Sequence, residues 1–228
     1  MRTLHLLSLA AFVATPLAAQ GNPADPDKKV AGGGAMPPGW FARLEDSTAS
    51  IANVKFTTMG NGFHFTTGPA GIYWRDADAV PGSFHTLATF TQTKAPMHPE
   101  AYGLFVAGKD LKGGNASYVY LIVRGDGMFS IRQGGKAGTP STNLTTGGNR
   151  NGWLANDAVV KQDSATGKAT NLLEISGDAA TKKLTFKVNG KVVHEMDAPG
   201  GTVAGVVGIR MNHNLDVHVD GFAVHKLP

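Results

Sequence analysis

The 228-residue chain contains no cysteine. That excludes a disulfide framework, a thiolate nucleophile and a lipidated N-terminal cysteine. Glutamate is scarce, with only Glu45, Glu100, Glu174 and Glu195, which restricts any chemistry built on paired carboxylates. After residue 13 no apolar run is long enough to cross a membrane as a helix. No later stretch keeps a 3.6-residue apolar period, and no fixed-period repeat occurs, so propellers and solenoids are set aside. Basic residues do not cluster. Charges alternate in sign and the net charge is only +4, so nothing points to nucleic acid as a partner. Charged residues are 17% of the chain while glycine numbers 30. With Thr and Asn taking over much of the polar surface, that composition suits an extracellular all-β domain.

The start of the chain reads as a secretory signal peptide. Met1-Arg2 is a short basic region, residues 4–13 are apolar apart from His5 and Ser8, and Ala18-Ala19 offers small residues for cleavage. Residues 1–19 are expected to be removed, placing the protein outside the cell or in the periplasm. Residues 20–38 hold Pro23, Pro26, Gly32-Gly33-Gly34 and Pro37-Pro38 without periodicity. They read as a flexible linker. Residues 39–228 then suffice for one sandwich domain with a real core.

That domain is written as hairpins. Tyr102-Gly-Leu-Phe-Val and Ser117-Tyr-Val-Tyr-Leu-Ile-Val-Arg are strands, and Gly125-Asp126-Gly127 turns the chain into Met128-Phe-Ser-Ile-Arg. Asn171-Leu-Leu-Glu-Ile, Lys183-Leu-Thr-Phe-Lys-Val, the turn Asn189-Gly190 and Lys191-Val-Val-His-Glu repeat the scheme. Asp-Gly and Asn-Gly between apolar runs are strong hairpin signals, because tight turns need residues at positive φ. Counting on gives about a dozen strands, and many strands without helical spacers make an all-β sandwich or barrel.

Three pieces in order carry a family resemblance: Tyr118-Val-Tyr-Leu-Ile-Val-Arg-Gly-Asp-Gly, Leu184-Thr-Phe-Lys-Val-Asn-Gly-Lys-Val-Val, and Gly205-Val-Val-Gly-Ile-Arg followed by Val217-His-Val-Asp-Gly-Phe-Ala-Val. The chain resembles the concanavalin A-like lectin/glucanase (laminin-G-like jelly-roll) superfamily. In style it is similar to bacterial secreted family-16-like or 3-keto-disaccharide hydrolase-like domains. The resemblance spans roughly residues 40–226. It implies a two-sheet antiparallel β-sandwich, with ligands on one sheet or at loop tips. It also implies a structural calcium near the last strand, where Asp220-Gly221-Phe222 matches the position and Asp220 is the candidate ligand.

Catalysis finds little support. The Glu-x-Asp-x-x-Glu strand of the family-16-like enzymes is missing, as are a Gly-x-Ser-x-Gly elbow and a phosphate loop. Asp76 and Asp216 are the carboxylates left for an unusual glycoside hydrolase. Sugar binding fits better. Tyr118, Tyr120 and Arg124 share a strand face opposite Val119, Leu121 and Val123, which offers rings for stacking once the aliphatic side is core. Tyr73 and Arg75 share another face, opposite Trp74, with His85 and Thr89 on a neighbouring strand. Trp40 and Trp153 are expected to be core or loop anchors. Arg210, Asn212, Asn214, Asp216, His218 and Asp220 alternate with Ile209, Met211, His213, Leu215, Val217 and Val219 and share one face if the strand is continuous. A turn at 212–214 would break that register.

The sequence is therefore read as a secreted, non-catalytic, lectin-like domain. Its carbohydrate would stack on Tyr118 and Tyr120, with hydrogen bonds from Arg124, Arg210, Asn212, Asn214 and His218. Joint replacement of the two tyrosines by alanine is expected to abolish binding and spare the fold. The alternatives are a glycoside hydrolase-like enzyme and an extracellular protein-binding module.

Overall fold

The computed structural model describes residues 26–135, 139–149 and 151–228. The expected signal peptide and residues 20–25 of the linker lie outside the described residues. The described chain forms β1 (Trp40–Leu44), β2 (Val54–Met59), β3 (Gly62–Thr67), β4 (Gly71–Val80) and β5 (Phe84–Gln92). Next come β6 (Ala101–Lys109), β7 (Ser117–Arg124), β8 (Met128–Gly134), β9 (Thr142–Asn143) and β10 (Leu154–Ala155). The last are β11 (Ala169–Asp178), β12 (Lys183–Val188), β13 (Lys191–Asp197), β14 (Gly205–Met211) and β15 (Asp216–Lys226). One sheet runs β1-β4-β14-β6-β7-β8-β10, with β9 also on β8. The other runs β13-β12-β11-β5-β15-β3-β2. The two antiparallel sheets form the expected sandwich. The two-residue strands β9 and β10 lie in and just after residues 140–151, whose Thr-, Asn- and Gly-rich composition by itself indicates only a loop.

Alternation builds the core. Val119, Leu121 and Val123 of β7 point inward with Tyr102 and Leu104 of β6 and Ile209 and Met211 of β14. Phe84, Phe90, Leu173, Ile175, Leu184 and Phe186 meet them from the second sheet. The Asn189-Gly190 turn has φ of 50° and 77°, as a type I′ hairpin requires. At Gly125-Asp126-Gly127 only Gly127 is left-handed, at 87°. That hairpin is a three-residue loop closed by glycine.

The β12–β13 hairpin is tied to the sandwich by a buried amide. Asn171 has no solvent exposure. Its Oδ1 accepts from Val160 N–H at 2.8 Å and from Asn189 Nδ2 at 2.9 Å, and its Nδ2 donates to the Tyr102 hydroxyl at 3.3 Å. Asn171→Ala strands these partners, and unsatisfied buried groups cost about 1–3 kcal/mol each. The variant is expected to lose about 2–4 kcal/mol in urea unfolding. A loss below about 1 kcal/mol would mean water replaces the amide freely.

Residues 26–38 run without regular structure but are fastened to the domain. Lys28 N–H donates to Asn214 Oδ1 at 2.8 Å, Asn214 Nδ2 donates to the Pro26 carbonyl at 3.1 Å, and Gly34 N–H donates to the Val54 carbonyl at 2.9 Å. This part of the expected linker is thus docked.

Candidate functional site

β7 lies near the middle of the first sheet, between β6 and β8. Its outward face carries Tyr118, Tyr120 and Ile122, which pack with Ile72, Trp74, Phe105 and Leu111 in a second apolar cluster. The first sheet is therefore covered on both sides. Arg43 helps by donating Nη1 to the Leu111 and Gly113 carbonyls at 3.1 and 2.7 Å. Double coverage reverses one expectation. Ile72, Tyr73 and Trp74 are all buried, so alternation alone does not tell which face of β4 is core. Tyr73 points between the sheets, while Trp74 joins the outer cluster. Arg75 lies over Trp40 at 5.0 Å and binds Asp78 at 2.8 Å. His85 and Thr89 belong to β5 in the other sheet.

A polar groove crosses this outer cluster. Its main cleft, about 320 Å³, has Tyr120 and Ile122 beneath, Arg124, Arg132 and Trp153 at one side, and Arg210, Asn212 and Glu100 at the other. Glu45 and Ser141 line both this cleft and a narrow passage over Tyr118. The passage shares Gly134, Gly135 and Thr139 with a further cleft of about 260 Å³. Four of the seven proposed sugar-binding residues thus meet in the main cleft: Tyr120, Arg124, Arg210 and Asn212. Tyr118 floors the passage. Tyr118 and Tyr120 are only 4% and 2% exposed, so they are a floor and not an open stacking platform. Burial pushes the Tyr118 phenol up to about 12.

Asn214 and His218 lie elsewhere. The chain leaves the first sheet after Met211 and enters the second at Asp216, with Asn214 at φ 56° in between. The expected single strand is two strands, and its polar row is split. Asn214 holds residues 26 and 28. His218 lies on β15, stacked at 6.0 Å on His64 and bonded through Nε2 to Asp220 at 3.1 Å. Asp220 supplies one carboxylate, already engaged by His218. Among the described residues no three His, Asp or Glu gather as metal ligands, and calcium takes about six to eight oxygens. The calcium expectation rests on the family resemblance alone.

Arg210 is the most deeply buried charge in the cleft, at 3% exposure. Its Nη2 lies 2.8 Å from Glu45 Oε2, Nη1 donates to the Met211 carbonyl at 3.1 Å, and the guanidinium sits 5.4 Å over Tyr120. Burial alone would lower its pKa, but the charge of Glu45 and the Tyr118 and Tyr120 oxygens more than reverse this. Its Nε has no partner among the described residues. Gly103 lets β6 and β7 approach closely beneath the cleft. It is paired with both Arg210 and Ile122, and a Cβ there would stand 2.0 Å from the Leu121 carbonyl oxygen. Glu100 accepts from Asn212 at 3.1 Å and meets His213 Nε2 at 2.8 Å. Asn212 Oδ1 is buried and has no partner among the described residues.

Sequence reasoning missed Arg132, Glu45, Glu100 and the position of Trp153. Arg132 was legible, since it stands directly across from Tyr120 in the β7–β8 register. Trp153, expected as an anchor, is half-buried and carries Arg124 at 4.2 Å and Arg132 at 5.5 Å from its ring. Glu45 and Glu100 arrive from outside the strands that floor the groove, and no local spacing reveals them.

The carboxylates singled out for catalysis are outside the groove. Asp76 is exposed and bound to Lys112 at 2.7 Å. Asp216 belongs to the second sheet, held by His64 at 3.1 Å, Lys94 at 3.0 Å and the Thr93 hydroxyl. Burial pushes the Asp216 carboxyl up, but the Thr93 and Lys94 hydrogen bonds, with the Lys94 and His64 charges, hold it below the usual range. A depressed folded-state pKa gives stability that is present above the unfolded value, near 4, and lost as pH falls through the folded value. Asp216→Asn is therefore expected to destabilise the protein at pH 6 and to lose that penalty towards pH 2. Urea midpoints at both pH values check this, and a gap that does not close would refute it.

No known family pattern and no curated protein matches the chain. Solved structures do. The carbohydrate binding module CBM66 from Bacillus subtilis superposes with a TM-score of 0.57 at 9% identity, over 82% of this chain and 96% of that one. An alginate lyase variant gives 0.50 at 13% identity, over 82% and 94%. A Bacillus subtilis protein of unknown function with a galectin-like fold gives 0.49 at 12%, over 82% and 89%. At such identities the likeness is one of fold. The chain has a two-sheet jelly-roll sandwich, a fold it shares with that carbohydrate binding module.

Proposed function

We propose that the protein is a secreted, non-catalytic carbohydrate-binding domain whose glycan lies in the groove on the outer face of the first sheet. The observation that carries this reading is the main cleft itself. It combines a half-buried indole with a buried arginine whose Nε is unpartnered and an Asn212 carbonyl oxygen in the same state. Sugars need such a mixture: C–H faces pack on a ring, while adjacent hydroxyls pair with planar donors and acceptors. Trp153 takes the stacking role first given to Tyr118 and Tyr120, and Arg124, Arg132, Arg210 and Asn212 supply hydrogen bonds. A glycan array with the mature chain is expected to give hits that are not turned over. Trp153→Ala, checked for folding by its melting curve, should weaken them at least tenfold. Silence across the array would overturn the reading.

A second reading rests on Glu45 and Glu100, two carboxylates facing one cleft, as a glycoside hydrolase-like enzyme would need. It requires hydrolysis of an array hit and its loss in Glu100→Gln. Intact glycan after long incubation would refute it.

A further inference from the structure

We infer that the groove takes an anionic saccharide chain, one bearing carboxylate or sulfate groups, in preference to a neutral one. This rests on the carbohydrate reading above and narrows its ligand class. Among the described residues, the main cleft and the adjoining passage are lined by four guanidiniums, those of Arg43, Arg124, Arg132 and Arg210, and by two carboxylates, Glu45 and Glu100. Among the described residues no other charged side chain lines either space, and none lines the further cleft.

The carboxylates present are already committed. Glu45 pairs with Arg210 at 2.8 Å. Glu100 is held by His213 and Asn212. Arg124 pairs with Asp126, which is outside the lining. Arg132 is different. Its Nε donates to Ser130 Oγ at 3.0 Å and its Nη2 to the Asn151 carbonyl, and among the described residues it has no carboxylate partner. Arg43 likewise spends its donors on carbonyls.

The arrangement therefore holds positive charge without a counter-ion. Arg124 and Arg132 lie against the same indole, which attracts each cation through its ring face but does nothing for their mutual repulsion. An anionic group between them and Arg210 relieves that repulsion. It also meets fork-shaped donors suited to two parallel hydrogen bonds. A neutral sugar meets the same donors but leaves the repulsion in place. A cleft of one charge sign with low-dielectric walls concentrates the field on an anion that enters it.

The test is calorimetric titration of the mature chain with three oligosaccharide sets of matched length: hexuronate oligomers, the same oligomers reduced to neutral hexoses, and sulfated neutral oligomers. Anionic oligomers are expected to bind at least tenfold more tightly than the reduced ones. Their affinity should fall with rising salt while that of neutral oligomers holds. Arg132→Gln should abolish most of the preference. If that variant does not fold, the salt dependence of the wild-type chain still decides. Preference for the hexuronates or for the sulfated set identifies which anion the groove takes. Equal or tighter binding of the reduced oligomers overturns the anionic assignment and keeps the carbohydrate reading. No binding in any set, together with a silent array, removes both.

Discussion

Replacing Tyr118 and Tyr120 together by alanine is expected to unfold the domain instead of merely emptying its groove. The two rings are 4% and 2% exposed and pack on each other at 5.6 Å, with Phe105 at 5.4 Å from Tyr118 and the Arg210 guanidinium over Tyr120. Deleting a buried aromatic side chain costs about 3–5 kcal/mol. Two such losses approach the whole stability of a domain, about 5–15 kcal/mol. The expectation from sequence that this variant keeps its fold is thereby corrected, and the reason is burial. Tyr118→Phe with Tyr120→Phe separates floor from function. It keeps both rings and removes hydroxyls that make no hydrogen bond among the described residues, so stability should change by less than about 1 kcal/mol. Urea unfolding of the two double variants decides. An alanine pair that unfolds at the wild-type midpoint would show that the rings are not the floor of the groove.

What the sequence made legible is the set of features encoded by local rules. Alternation over Val119, Leu121 and Val123 correctly assigns the inner face of β7, and Asn189-Gly190 correctly marks its hairpin. The same rules fail where two different structures write the same pattern. Polar and apolar residues alternate from Ile209 to Asp220 except at His213, which is polar where the pattern calls for an apolar residue. The chain nonetheless turns at Asn214 and changes sheet, so Arg210 and Asn212 stay in the groove while His218 leaves it. β4 fails for another reason. Its Ile72, Tyr73 and Trp74 are buried on both faces of the sheet, so the apolar run does not mark the inner side, which packing sets. The groove walls were least legible because Glu45, Glu100 and Trp153 reach it from outside β6, β7 and β14. Their juxtaposition is tertiary.

Glu45→Ala is expected to cost more stability than removal of the buried partner it serves. Arg210 is 3% exposed in its side chain and Glu45 47%. Taking away the carboxylate leaves a permanently charged guanidinium in the floor of the cleft, with one carbonyl contact and an Nε already unpartnered. Breaking a buried pair in this direction costs about 3–5 kcal/mol. Access of water to the Glu45 side puts the expected loss at the lower end, about 3 kcal/mol. Arg210→Met works the other way. The carboxylate left behind is half in water and needs no partner, the methionine fills apolar space beside Tyr120, and an unsatisfied donor disappears. Its stability should stay within about 1 kcal/mol of wild type. Yet the same substitution takes from the cleft the one charge that is buried there, so glycan binding should fall at least tenfold in a protein that still folds. A fold can be held more firmly without such an arginine, and its retention in the floor of the groove is then explained by what it binds. Equal destabilisation by the two substitutions would contradict the asymmetry, and a stable Arg210→Met chain with undiminished affinity would move the binding site away from this groove.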